Sequence, residues 1–325
     1  MAAGIASEFG FYPREWDTKT DRFTIETLPG LHEAVAALAE DPGVAKDWIY
    51  SGLQQTRDWG TGTVRTLPYS ARVFGMPKTH ALTLHEARTQ SDLDFVVWCL
   101  SLLAGMRLTT TERGFLDATP IRPGKLVDFN HGSGDEATMA GLALDYLDQH
   151  KARPLAAKRF IAIIHAFFLA KYPQNLPFER FQYLYSALDG CYKLIFDSQR
   201  PRQGVAHGER IQWMCGTYGL PIPAWALHKP GKGSTVATIR NATVHEALFF
   251  DEPLGFSVYG GNHAPSDHGL ELLQMEGLVT RLLFAILGRA DMAYVKSATD
   301  SRQRQKLGLT LPSISGQPCV DEPHG

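Results

Sequence analysis

From Asp135 to Val295 the sequence is built of long segments in which apolar residues recur every three or four positions, a spacing that lines one face of an α-helix and cannot line one face of a strand. The segments are DEATMAGLALDYLDQHKA, PLAAKRFIAIIHAFFLAKY, FERFQYLYSALDGCYKLIF, GERIQWMCGTYG, VATIRNATVHEALFF and LELLQMEGLVTRLLFAILGRADMAYV. Each needs a partner to cover its stripe, so together they predict a helical bundle. Pro173, Pro177, Pro201, PIPAWALHKPGKGS and GGNHAPSDHG supply the loops between them.

The first 130 residues read differently. RFTIETL (22–28), GTVRTLPYSARVF (62–74) and HALTLHEA (80–87) alternate with period two and are rich in β-branched residues, as strands are. LHEAVAALAEDPG (31–43) has helical spacing and stops at Pro-Gly, and SDLDFVVWCLSLLAGMRL predicts a second helix capped by Ser91 and ended near Gly105. WGTG (59–62) reads as a hairpin turn. The expectation is an α+β N-terminal domain over 1–150, with the boundary where KARP breaks the pattern. An all-α helical bundle over 151–325 follows, and its Pro-rich polar tail is disordered from about 312.

Charge narrows the function. With 32 basic and 34 acidic residues the net charge is −2, which excludes a protein that coats nucleic acid with its whole surface; any such contact must be local. The longest apolar run, FIAIIHAFFLA (160–170), is interrupted by His165 and falls well short of the roughly 20 residues a membrane span needs. No basic-then-apolar leader opens the chain, so a cytoplasmic protein without membrane contact is expected. Cys99, Cys191, Cys215 and Cys319 form no C-x-x-C pair and are expected as buried reduced thiols.

One short stretch carries chemistry. In TIRNATVHEALFFDEP (238–253) a helix from about Val236 to Phe250, capped by Ser234 or Thr235, places Asn241 and His245 one turn apart on one face, with Arg240 about 140° around from His245, so that it must reach round or the helix must start late. A neutral His can take the proton of an RNA 2′-hydroxyl, an Arg can hold the scissile phosphate with paired hydrogen bonds, and an Asn amide can orient either. Internal attack by the 2′-oxygen needs no metal, and no cofactor is expected. The spacing alone says little: His165 (from Arg159) and His207 (from Arg200 and Arg202) fit a loose Arg-to-His pattern too. His165, inside an apolar run, reads as a core residue. His207 follows RPRQGVA and reads as a cap or pairing residue at a helix start.

The order of the surrounding blocks adds context. FERFQYLYSALDGCYKLIF (178–196), HGERIQWMCGTYGLPIP (207–223), TIRNATVHEALFFDEPLGF (238–256) and a long final helix from about Leu270 to Val295 together resemble the HEPN superfamily, in particular its Apea-like branch. The resemblance covers about 130 residues. It implies a bundle that forms a homodimer with two Arg-polar-x-x-x-His motifs facing across a cleft. It also implies metal-independent endoribonuclease activity leaving 2′,3′-cyclic phosphate ends, in phage defence or a toxin system, with an antitoxin or activator protein as a further partner. By position Arg240 and His245 match the catalytic pair, Asn241 the polar residue, and Asp189 an acidic helper. The alternative within the same resemblance is a non-catalytic HEPN module that binds RNA, a nucleotide or a protein. The N-terminal half would then sense a trigger or restrain the nuclease.

Arg200 and Arg202 in SQRPRQ, Arg210 in the middle helix, and Arg302, Arg304 and Lys306 in SRQRQK are the local basic groups that could hold RNA phosphates. Tyr183, Tyr185 and Tyr192 are candidate stacking partners whose spacing also suits core packing. His263, Asp267 and His268 are metal-ligand types gathered on a flexible loop with no helix to fix them, so no metal site is expected there.

Overall fold

The computed structural model describes residues 4–52, 54–67, 73–86, 88–201, 203–241, 250–251, 255–256, 269–299 and 304–310. Its N-terminal half is rich in β-structure and its C-terminal half is helical. A four-stranded antiparallel sheet runs in the order Ile5–Phe9, His80–Leu84, Phe23–Thr27, Thr18–Lys19. Phe23 faces Leu84 and Ile25 faces Leu82 across it, and these four side chains are buried. The alternation read from the sequence therefore gives one dry face. Smaller antiparallel pairs surround this sheet, including a hairpin of Gln54–Arg57 with Val64–Leu67 whose turn holds WGTG.

Helix α1 is Leu31–Ala39, and α2 is Gln90–Ala104. Thr89, not Ser91, caps α2: its hydroxyl accepts from Asp92 N while the Asp92 carboxylate accepts from Thr89 N, a reciprocal box that satisfies two otherwise unpaired amides. Gly105 ends the helix at φ 60°, as expected. From Leu93 onward α2 is buried on nearly every side, because the sheet takes one face and later helices the others.

Those helices are α3 (Asp135–Gln149), α4 (Pro154–Ala170), α5 (Pro177–Gln199), α6 (Arg210–Tyr218), α7 (Thr235–Arg240), α8 (Gly269–Phe284) and α9 (Ala293–Lys296). The expected boundary near 150 falls in the turn between α3 and α4, and aromatic packing runs through it: Phe95 of α2 lies 5.5 Å from Tyr146 of α3 and 5.6 Å from Phe160 of α4. Helices α4 and α5 form an antiparallel pair. They approach so closely at Gly190 that a Cβ there would lie 2.6 Å from Ile163 Cγ1.

Two buried polar clusters lock α8 in place. Glu276, 4% exposed, accepts from Lys171 and, at 2.8 Å, from Arg180, tying α8 to α4 and α5. Arg281, 2% exposed, reaches back to Asp128 at 3.0 Å, and Tyr294 donates to the same carboxylate at 2.5 Å. Beside them, Phe129–Asn130 pairs in parallel with Gln305–Lys306, so the far end of the chain is sewn onto the N-terminal half.

Two expectations fail in detail. The final helix is not continuous to Val295: after Phe284 a wide turn at Ala285–Arg289 carries Gly288 at φ 87°, which no right-handed helix accommodates, and α9 starts afresh. The helix expected to reach Phe250 does not include it, since Phe250–Asp251 pairs as a short strand with Gly255–Phe256. Among the described residues no helix is long and apolar enough to cross a membrane.

Candidate functional site

Helix α5 presents Tyr185, Asp189 and Tyr192 along one face, at spacings of four and three residues. The 3-10 turn His207–Glu209 and α6, which runs on from it, meet that face, and α7 packs against the turn. Helix α7 is anchored by Val236 and Ile239, both buried, so its last residue, Arg240, is delivered to a fixed place.

The contacts are specific. Tyr185 Oη lies 2.5 Å from His207 Nε2. Arg210 Nη1 donates to Asp189 Oδ1 at 3.1 Å, while its guanidinium sits 4.4 Å over the ring of Tyr192. Arg240 Nη1 donates to Asn241 Oδ1 at 3.1 Å. Burial, joined by the charge of Asp189, pushes the Tyr185 hydroxyl above its ordinary range, and Arg240 and Arg210 both oppose that shift. Both guanidiniums therefore act electrostatically on the same phenol.

Of the residues singled out from sequence, Asp189 pairs with Arg210 and His207 bonds Tyr185 on the same helix, while Arg240 bonds its neighbour Asn241 at the end of α7 and its charge acts on Tyr185. His245 and Arg202 lie outside the described residues, as do His263, Asp267, His268, Arg302 and Cys319. Arg200 is exposed at the left-handed end of α5, about 16 Å along the helix axis from Asp189 at 1.5 Å per residue, so it is not part of the cluster. Arg304 donates to Gly124 O and, at 3.5 Å, to Asn130 Oδ1, which ties it to the N-terminal half. Tyr192 is buried under Arg210.

His165 is a packing residue, as expected. It meets the Trp98 ring edge-on at 5.6 Å, and burial lowers its pKa. Cys99, Cys191 and Cys215 are buried free thiols whose desolvation pushes each pKa up, that of Cys215 to about 12.

The structure adds groups that sequence reasoning missed. His228 arrives from the loop after α6, with Nε2 3.6 Å from Glu209 Oε1 and Nδ1 buried without a hydrogen-bond partner among the described residues. It packs so near the turn that a Cβ on Gly208 would lie 3.3 Å from Nδ1. His228 also lines, with Glu209, Gln212 and Trp213, an open cleft of about 670 Å³ beside the His207 turn. Nothing in PIPAWALHKP announces this, because the loop's path is set by a long-range bond from Trp225 Nε1 to Gln274 Oε1 at 2.8 Å.

Chemically, the cluster offers two guanidiniums, a carboxylate, and an imidazole held by a phenol. Guanidiniums suit phosphate oxygens, and a His with one nitrogen fixed has a defined tautomer for proton transfer. No protein-family model, curated protein or solved structure matches the chain.

Proposed function

We propose that the helical half is a HEPN-type bundle and that the chain is a metal-independent endoribonuclease. It cuts by attack of an RNA 2′-oxygen on the adjacent phosphate and works as a homodimer. The observation that carries this reading is the polar face of α5, where His207 bonds Tyr185 and Arg210 pairs with Asp189, within electrostatic reach of Arg240. In the proposed reaction Arg240 holds the scissile phosphate and offsets the charge that builds on it. His245 takes the 2′-hydroxyl proton, and Asn241, already bonded to Arg240, fixes the guanidinium's orientation. Asp189 keeps Arg210 at the edge of the site, where it can take a flanking phosphate.

The test is incubation of purified protein with total RNA and with tRNA in the presence of EDTA, followed by mapping of the product ends. The expected result is cleavage that survives chelation, leaves 2′,3′-cyclic phosphates, and disappears in both Arg240→Ala and His245→Ala. Cleavage that persists in the two variants would overturn it.

A second reading, a non-catalytic HEPN module that binds RNA, a nucleotide or a protein, is favoured by one feature. The open cleft beside the His207 turn, with an indole and several polar edges, is a binding surface in its own right. A folded dimer that binds labelled RNA saturably and never cuts it would select that reading.

A further inference from the structure

A second cleft, of about 510 Å³, lies away from the Arg240 cluster, where α2, the end of α3 and the start of α4 meet. Ser91, Asp94 and Trp98 form its wall on α2; Pro154, Ala157, Lys158 and Ile161 form the wall on α4. Both sets follow helical spacing, so each wall is a single continuous face. The volume is that of an ordinary small-molecule site.

Its two ends differ. At one end stands Trp98, half-buried, with the Arg107 guanidinium stacked 3.5 Å over its ring and His165 edge-on at 5.6 Å. A cation on one face of an indole withdraws electron density from it, which favours an electron-rich ring against the rest of its surface. At the other end stand Arg153 and Lys158, flanking the open first turn of α4, which carries no acidic residue.

The charges in the cleft are not balanced. Asp92 is occupied by the backbone and hydroxyl of Thr89, at 2.9 and 3.0 Å. Asp94 Oδ1 takes Gln90 Nε2 at 2.9 Å and Thr110 Oγ1 at 2.7 Å. Arg88 and Lys151 share one carboxylate, that of Asp148, at 2.9 and 3.1 Å. Among the described residues the Arg153 side chain bonds to a backbone oxygen, that of Asp197, at 2.9 Å. Lys158 is exposed and makes no hydrogen bond or ion pair with any described residue. The hydrogen bonds to Asp92 and Asp94 come from neutral groups and leave both charged, but the lining carries four cations, Arg88, Lys151, Arg153 and Lys158, against these two carboxylates, so its net charge is positive.

We propose that this cleft binds a nucleoside monophosphate, with the base against Trp98 and the phosphate between Arg153 and Lys158. The aromatic end accounts for a flat ring, the cationic mouth accounts for a dianion, and Ser91 and Asp94 between them offer a donor and an acceptor to ribose hydroxyls. A free phosphate would leave the indole unused, and a nucleoside would leave the cations unused.

Isothermal titration calorimetry of the full chain tests it, using AMP, GMP, CMP and UMP, with inorganic phosphate and adenosine as controls. At least one monophosphate should saturate one site per chain at least tenfold more tightly than either control. Lys158→Glu, on an exposed position, should weaken that binding at least tenfold with an unchanged melting curve. Trp98→Phe, which keeps an aromatic ring in the core, should weaken it severalfold. Arg240→Ala should leave it unaltered. The proposal is overturned if no monophosphate binds at millimolar concentration, if phosphate or adenosine alone binds as tightly, or if Arg240→Ala abolishes binding while Lys158→Glu does not. It stands or falls separately from ribonuclease activity, since no readout here depends on cleavage.

Discussion

Tyr185 and His207 share a hydrogen bond of 2.5 Å between side chains that the sequence sets 22 residues apart. The bond fixes one imidazole nitrogen and pins the His207 turn to α5, so the phenol connects the local fold with the chemistry proposed beside it. Tyr185→Phe keeps the ring and removes the bond. Loss of about 1 kcal/mol of stability is expected, a typical net worth for one hydrogen bond. RNA cleavage should fall by more than this loss of stability accounts for. Urea denaturation and cleavage rates on the same preparations separate the two effects, and a variant with native rates would show that the bond serves the fold alone.

Gly190 tests how tightly α4 and α5 are packed. Alanine is the better helix former by about 1 kcal/mol. Its Cβ, however, would meet Ile163 Cγ1 at 2.6 Å, on a β-branched side chain that cannot swing away, and overpacking of this kind costs roughly 1–3 kcal/mol. Gly190→Ala should therefore be neutral to destabilising despite the propensity gain. With Ile163→Ala in the background the same change should become stabilising, and a double-mutant cycle reads the coupling.

His80 should make the protein acid-sensitive. Its ring is fully buried near Phe9, Tyr12 and Trp16, with Nδ1 2.9 Å from Thr79 Oγ1, and burial pulls its pKa down to about 4. The unfolded chain takes up this proton near pH 6.5 and the folded chain does not, so the neutral ring's contribution is complete above 6.5 and is lost as pH falls towards 4. The loss is on the order of 3 kcal/mol. Stability against urea measured from pH 7.5 to 4 should show this slope, and His80→Leu should flatten it.

Asp128→Ala leaves Arg281 and the Tyr294 hydroxyl without their shared carboxylate. Breaking such a buried pair costs about 3–5 kcal/mol, and the low end applies because the Asp128 side chain is 39% exposed and Arg281 keeps bonds to Ser297. Thermal melting should show a drop of several degrees. A variant as stable as the parent would mean that strand pairing at Phe129–Asn130 holds the two halves together without the ion pair.

The long amphipathic helices were legible because each stripe spans three or more turns, enough for period to outweigh local noise. Helix ends were less so: Ser91 and Thr89 are both good caps, and only the reciprocal bond with Asp92 separates them. The break at Gly288 was hidden inside an apolar run, where a single glycine reads as tolerated. At the candidate site, Arg240 and Asn241 stood out as neighbours in sequence. The partnership of Asp189 with Arg210 depends on α6 returning to α5, and no local pattern encodes that.

The parallel pairing of Phe129–Asn130 with Gln305–Lys306 also sets a schedule. A ribosome adds about 5–20 residues per second, so the N-terminal half waits on the order of ten seconds or more for the strand that completes it. For most of that interval Asp128 has neither Arg281 nor Tyr294, and the face of α5 is finished before the strand at Gln305–Lys306 exists. A nascent chain can thus assemble its Arg240 cluster while its N-terminal half is still open at one edge, which makes that interval the period in which a newly made copy is most exposed to chaperones and to proteolysis.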